Sequence, residues 1–188
     1  MVRKLVIIGV SFLLLIIIGY SKLNLNNYSV YYATHCPHVK EADPVLVEIC
    51  NHIWSINGPD LKSPDYRKTG IQYIEDWRVK YQAIWNDKYD LRLAKSNEDK
   101  NIYADFYTYY KDPDKGPTIK SLIFNSSGKF IRFTDDEERE EILSSESKKE
   151  YFMMIDKTLD AILVAQANDS PKINLQALYN SLNYWRFN

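Results

Sequence analysis

YDLRLAKSNEDKNIYADFYTYY, residues 89–110, is the stretch that decides the fold. Tyr89, Leu91 and Leu93 recur at every second position. After the polar SNEDKN the same period places Ile102, Ala104, Phe106, Thr108 and Tyr110 on one side and Tyr103, Asp105, Tyr107 and Tyr109 on the other. A period of two is the signature of a strand, whose successive side chains point to opposite faces. Two such runs joined by a short polar segment predict an antiparallel pair.

The pattern continues in both directions. Upstream, WRVKYQAIW (77–85) places Trp77, Val79, Tyr81, Ala83 and Trp85 in alternation, and Asn86-Asp87-Lys88 turns the chain into Tyr89. Downstream, KDPDKGP leads into IKSLIFN, and Asn125-Ser126-Ser127-Gly128 leads into KFIRF, both through residues that favour turns. Five strands in sequence predict an antiparallel meander with one face against helices and the other largely in water.

Helical spacing flanks the meander. Asp43 is placed to cap a helix with Pro44 in its first turn, and Leu46, Ile49, Ile53 and Trp54 follow up to Asn57-Gly58. Residues 55–70 have no period and read as a long loop, in which Tyr66, Arg67 and Lys68 form a secondary contact candidate. Glu75 and Asp76 are taken as solvated loop carboxylates.

Beyond the sheet, DDEEREE (135–141) after Thr134 reads as a solvated helix start. Phe152, Ile155, Leu159, Ile162 and Gln166 mark a helix after Ser147. Ser170-Pro171 is read as the start of a last helix, whose stripe of Leu175, Leu178, Leu182 and Trp185 is assigned to the core. The fold class expected is α+β: an N-terminal transmembrane anchor, then a helix, a five-stranded antiparallel meander and two or three C-terminal helices packed on one sheet face.

The N-terminus, MVRKLVIIGVSFLLLIIIGYSK, has Arg3 and Lys4 before an uncharged apolar run from Leu5 to about Tyr20. That run suits a short anchor or a signal peptide. Gly19 and Ser21 are small enough for a cleavage site, but Tyr20 and the lack of an A-x-A pattern weigh against it, so residues 1–21 are read as an uncleaved anchor. Positive charge at the N-terminal flank puts that end in the cytoplasm. In a bacterium, residues 22–188 would then form one periplasmic domain on a single-pass inner-membrane protein.

Of the 188 residues, Lys and Arg number 24 and Asp and Glu 25, a net charge of −1 that suggests no nucleic-acid partner. In an oxidising compartment Cys36 and Cys50 are expected to form a disulfide. His35, His38 and His52 lie beside these cysteines, but the spacing fits no common zinc module. No nucleophile elbow, zincin, P-loop or dinucleotide-binding pattern is present, and DPDKG (112–116) has Ile123 where a calcium loop needs its bidentate Glu. Neither catalytic residues nor a cofactor are expected.

What remains is the face carrying Tyr103, Asp105, Tyr107 and Tyr109, extended by Arg92 on the neighbouring strand. Tyrosine offers a large contact area, a polar tip and few rotors to freeze, so this face is the candidate protein-binding surface. The same residues would also serve as a cross-strand ladder that stabilises the sheet. The expected function is a membrane-anchored, protein-binding domain, such as an immunity protein that inhibits an envelope-targeted toxin. The alternative is a structural subunit of an envelope secretion or conjugation complex.

Overall fold

The computed structural model describes residues 2–53, 70–76, 81–109, 116–166 and 170–188. Its centre is one antiparallel sheet of six strands in the order of the sequence: β1 (Ile71–Asp76), β2 (Tyr81–Asn86), β3 (Leu91–Lys95), β4 (Ile102–Thr108), β5 (Thr118–Phe124) and β6 (Phe130–Thr134). Four of the five expected strands are found where the period placed them. The remaining one, expected over Trp77–Trp85, is described from Tyr81 as β2, and the count is corrected to six because Ile71–Asp76 is a further strand paired with it. Glu75 and Asp76, expected on a loop, belong to β1 and stand opposite Gln82 and Tyr81. Trp77 and Val79 lie outside the described residues.

Register fixes which side chains share a face. Ile84, Leu93, Ala104, Leu122 and Phe133 form one cross-strand row, and all five are buried. Gln72, Trp85, Arg92, Asp105, Ser121 and Thr134 form a row of the opposite face. Between β5 and β6 the register shifts by a bulge at Ile123 and Phe124.

Five helices accompany the sheet among the described residues: α1 (Val2–Asn27), α2 (Ser29–Thr34), α3 (Pro44–Asn51), α4 (Ser145–Gln166) and α5 (Gln176–Phe187). Asp43 caps α3 by accepting from the Leu46 amide at 2.9 Å, and Pro44 occupies the first turn, where its missing N–H costs nothing. α3 closes at Asn51, before the expected Asn57-Gly58. Trp54 and the whole loop candidate Tyr66, Arg67 and Lys68 lie outside the described residues.

α4 starts where Ser144 Oγ accepts from the Ser147 amide at 3.1 Å. It buries Ile155, Leu159 and Ile162, while Phe152 and Tyr151 meet the sheet edge-on or tilted through Phe124, Phe106 and Phe133. Inside this contact Asn86 Nδ2 donates to Thr158 Oγ1 at 2.8 Å, so the buried polar pair is satisfied.

Two helical expectations are corrected. DDEEREE starts no helix: Asp135 Oδ1 accepts from the amides of Glu137 and Arg139, Glu138 takes a left-handed φ of 59°, and Thr134 bridges Glu140. A short acid that hydrogen-bonds its own downstream backbone offers the chain an alternative to the helix. The last helix begins at Gln176, after Ser170-Pro171, and of its expected core stripe Leu175, just before the helix, packs against the core while Leu178, Leu182 and Trp185 face outward. Trp185 is 88 % exposed and Leu182 64 %, whereas Tyr179 and Phe187 are the buried residues.

Within the described residues one helix segment, Ile7–Asn27, is long and apolar enough to cross a membrane. It does not stop at Ser21. Asn24 is buried, and the amides of Tyr28 and Tyr32 donate to Asn24 O and Tyr28 O at 3.0 Å, carrying the helical bonding from α1 into α2.

Candidate functional site

The expected surface begins with β3 and β4, whose pairing sets Arg92 directly opposite Asp105. Asp105 is 3 % exposed although it sits on the face away from α4. Arg92 grips its Oδ2 through two nitrogens, Nε at 2.9 Å, and Ser121 Oγ donates to Oδ1 at 2.7 Å. A buried carboxylate held by a two-nitrogen guanidinium contact and a hydroxyl is a fixed unit, because removing either partner leaves a desolvated charge. Asp105 therefore serves to position Arg92.

The guanidinium lies 5.8 Å from the centre of the Tyr107 ring, and Trp85 packs against Tyr107 at 5.1 Å. Tyr109, at the end of β4, is 58 % exposed. Four of the expected residues, Arg92, Asp105, Tyr107 and Tyr109, thus run along one side of β3 and β4, and Trp85 joins them from β2.

Tyr103 is turned to a different task. Its hydroxyl donates to Asp99 Oδ2 at 2.7 Å, closing the β3–β4 turn, where the Asn101 amide donates to Asp99 Oδ1 at 3.0 Å. Burial, reinforced by the carboxylate beside it, pushes the Tyr103 phenol up to about 12. For Asp99 the modest burial is outweighed by hydrogen bonds from Tyr103, Asn101 and Ser96, which hold its carboxyl down to about 2.

The cysteine and histidine cluster does not assemble. Cys36 and Cys50 are both buried as free thiols, and the expected bridge between them is not made in the structure. Burial pushes the Cys50 thiol up to about 12 and raises that of Cys36. His35 contacts Tyr31 O, His38 contacts Cys36 O, and His52 Nε2 lies 3.1 Å from Glu48 Oε2. Among the described residues no three His, Cys, Asp or Glu side chains gather as metal ligands.

A second constellation escaped the sequence reading. Glu48, on α3 and 3 % exposed, receives Arg186 Nη1 from α5 at 3.1 Å on Oε1 and His52 on Oε2. Arg186 Nε also donates to Ser126 O in the β5–β6 turn at 2.8 Å. Tyr179 is buried beside them, and burial followed by the Glu48 charge drives its phenol far above the ordinary range.

These groups form the polar side of a cavity of about 530 Å³ whose apolar side is Ile17, Ile18 and Leu25 of α1 with Leu178 and Leu182 of α5. Only the i,i+4 spacing of Glu48 and His52 was visible in the sequence. Arg186 is 138 residues from Glu48, and nothing local connects them.

The fold and the sheet face define an α+β domain that continues directly from an apolar N-terminal helix. Compared with protein-family models, curated proteins and solved structures, the chain matches none of them.

Proposed function

We propose that this chain is a single-pass membrane protein whose α+β domain lies outside the cytoplasm and binds another protein through the outer face of β2–β4. The function that suits this best is inhibition of the partner, as in an immunity protein that protects its host from an envelope-targeted toxin. One observation carries the reading: buried Asp105 fixes Arg92 beside Tyr107 and Trp85, with exposed Tyr109 at the rim. Rigid aromatic and arginine groups are the residue types that concentrate binding energy at protein interfaces, because little side-chain entropy is lost when they dock. Orientation follows from Arg3 and Lys4 at the N-terminal flank.

A second reading, a structural subunit of an envelope assembly, is favoured by the absence of a break between α1 and the domain, since the anchor helix is itself part of the packed structure. The two readings separate in one experiment. The full chain is purified from its native membrane in mild detergent, alongside Tyr109→Ala and Arg92→Ala variants and a chain whose residues 7–20 are exchanged for an unrelated apolar span. For an inhibitor, a stoichiometric partner remains with the exchanged span and binds at least about tenfold more weakly to each sheet variant. Retention by both sheet variants together with loss on span exchange would replace the inhibitor with the assembly subunit.

A further inference from the structure

We infer that the exposed face of α5 is seated in the lipid–water interface of the membrane that α1 enters, so that the protein holds the bilayer through an in-plane helix as well as through its span. This rests on the membrane reading of α1 given above.

The first observation is the composition of the face. Ala177, Leu178, Ser181, Leu182, Tyr184 and Trp185 are the exposed residues in the body of α5, and none is charged. The single charged residue of the helix, Arg186, is turned inward to Glu48. A surface helix that meets water normally presents charged and polar residues there, whereas leucine with tryptophan and tyrosine is the composition of a helix lying at a membrane boundary.

The second observation is its level. Ile17, Ile18, Ser21, Lys22 and Leu25 of α1 share one cavity with Leu178 and Leu182 of α5. From Ile17 to Leu25 the helix rises about 12 Å. Lys22 is the first charge after the apolar run, so this interval straddles the border between acyl chains and headgroups.

The third is rigidity. The Tyr32 hydroxyl donates to Asn24 Oδ1 at 2.6 Å and accepts from the Leu175 amide at 3.1 Å, and Asn24 Nδ2 donates to Ile173 O at 3.2 Å. Asn24 belongs to α1, and Leu175 precedes the first residue of α5. Once α1 is in the bilayer, α5 cannot be held clear of its surface. Lipid is therefore the occupant that the span itself supplies, while a protein covering this face would have to arrive separately.

The test uses the full chain in liposomes of phosphatidylethanolamine and phosphatidylglycerol, with nitroxide labels introduced singly through Leu182→Cys, Ile16→Cys and Lys129→Cys. Leu182 and Ile16 are exposed side chains and Lys129 is an exposed turn residue, so each label is tolerated by the fold. Collisions of each label with oxygen, which concentrates in lipid, are compared with collisions with a water-soluble nickel chelate. The expected order of oxygen preference is Ile16 highest, Leu182 intermediate and Lys129 lowest, with Leu182 shielded from the chelate. If the Ile16 label sits in lipid but the Leu182 label meets the chelate as freely as Lys129, the inference is wrong and the span reading stands. A Leu182 label shielded from both reagents would mean a protein surface covers α5, which also overturns it. Chelate access at Ile16 would remove the membrane reading and this inference with it.

Discussion

Tyr103 and Asp99 show how one residue's position can be legible while its partner is not. The alternation of IYADFYTYY put Tyr103 on the same face as Asp105 and Tyr107, as the register confirms, but the turn preceding β4 brings Asp99 under its hydroxyl at 2.7 Å. A consequence is measurable by pH. Tyr103 has a raised folded-state pKa, so its contribution to stability is complete below the ordinary tyrosine value and is lost as pH rises through about 12. Asp99 has the opposite sign: its contribution is present above the ordinary aspartate value and is lost as pH falls through about 2. Following the Tyr103 ring-carbon shift by NMR, Asp99→Asn is expected to lower the Tyr103 midpoint toward the ordinary tyrosine range, because it removes a neighbouring negative charge and a charged acceptor. An unchanged midpoint would assign the shift to burial alone.

At the scale of elements, the β5–β6 turn was foreseen from Asn125-Ser126-Ser127-Gly128, and its second role was not. Asn125 Oδ1 accepts from the Ser127 and Lys129 amides at 2.9 and 3.0 Å, which shapes the turn locally. The turn also docks on the start of α3, where the Asp43 amide donates to Ser127 O at 3.0 Å. Gly128 has φ of +80°, and a Cβ there would stand 2.5 Å from the Asp43 carbonyl oxygen. Both the left-handed backbone and the backbone clash oppose a side chain. Gly128→Ala is expected to cost at least about 2 kcal/mol, read as a lower urea midpoint at unchanged slope. A loss no greater than a few tenths would mean the turn moves off α3 freely.

The helices carry the complementary lesson. α4 was legible because Ile155, Leu159 and Ile162 recur at helical spacing and all three are buried, although the same helix leaves Met153 and Val164 exposed. α5 offered two stripes: Leu178, Leu182 and Trp185 on one side, Tyr179 and Phe187 on another. Periodicity locates such stripes but does not say which meets the core and which meets another medium. The inward one here is the one carrying Arg186 to buried Glu48.

Across the whole molecule, α1, α2 and α5 are joined at Tyr32, which is fully buried, stacks on Tyr179 at 5.5 Å and hydrogen-bonds to Asn24 and the Leu175 amide. Tyr32→Phe keeps the ring and strands those two partners, so it is expected to lose about 1–3 kcal/mol in detergent-solubilised full chain. It should also speed hydrogen exchange at the Leu175 amide, a readout that general loosening of the sheet would not mimic. Protection unchanged at Leu175 would show that α5 is held by its other contacts. What the sequence determined by itself was the local order: the apolar helix at the N-terminus, strands wherever the side chains alternate, the Asp43 cap and the Asn125–Gly128 turn, all set by interactions within a few residues. Only the tertiary structure decided that Ile71–Asp76 completes the sheet, that Asp105 is buried beneath Arg92, that α5 turns its leucines outward, and that Glu48 meets Arg186. Those outcomes depend on which surfaces remain uncovered after every element has packed, and contacts between residues 138 apart in the chain leave no local periodicity to read.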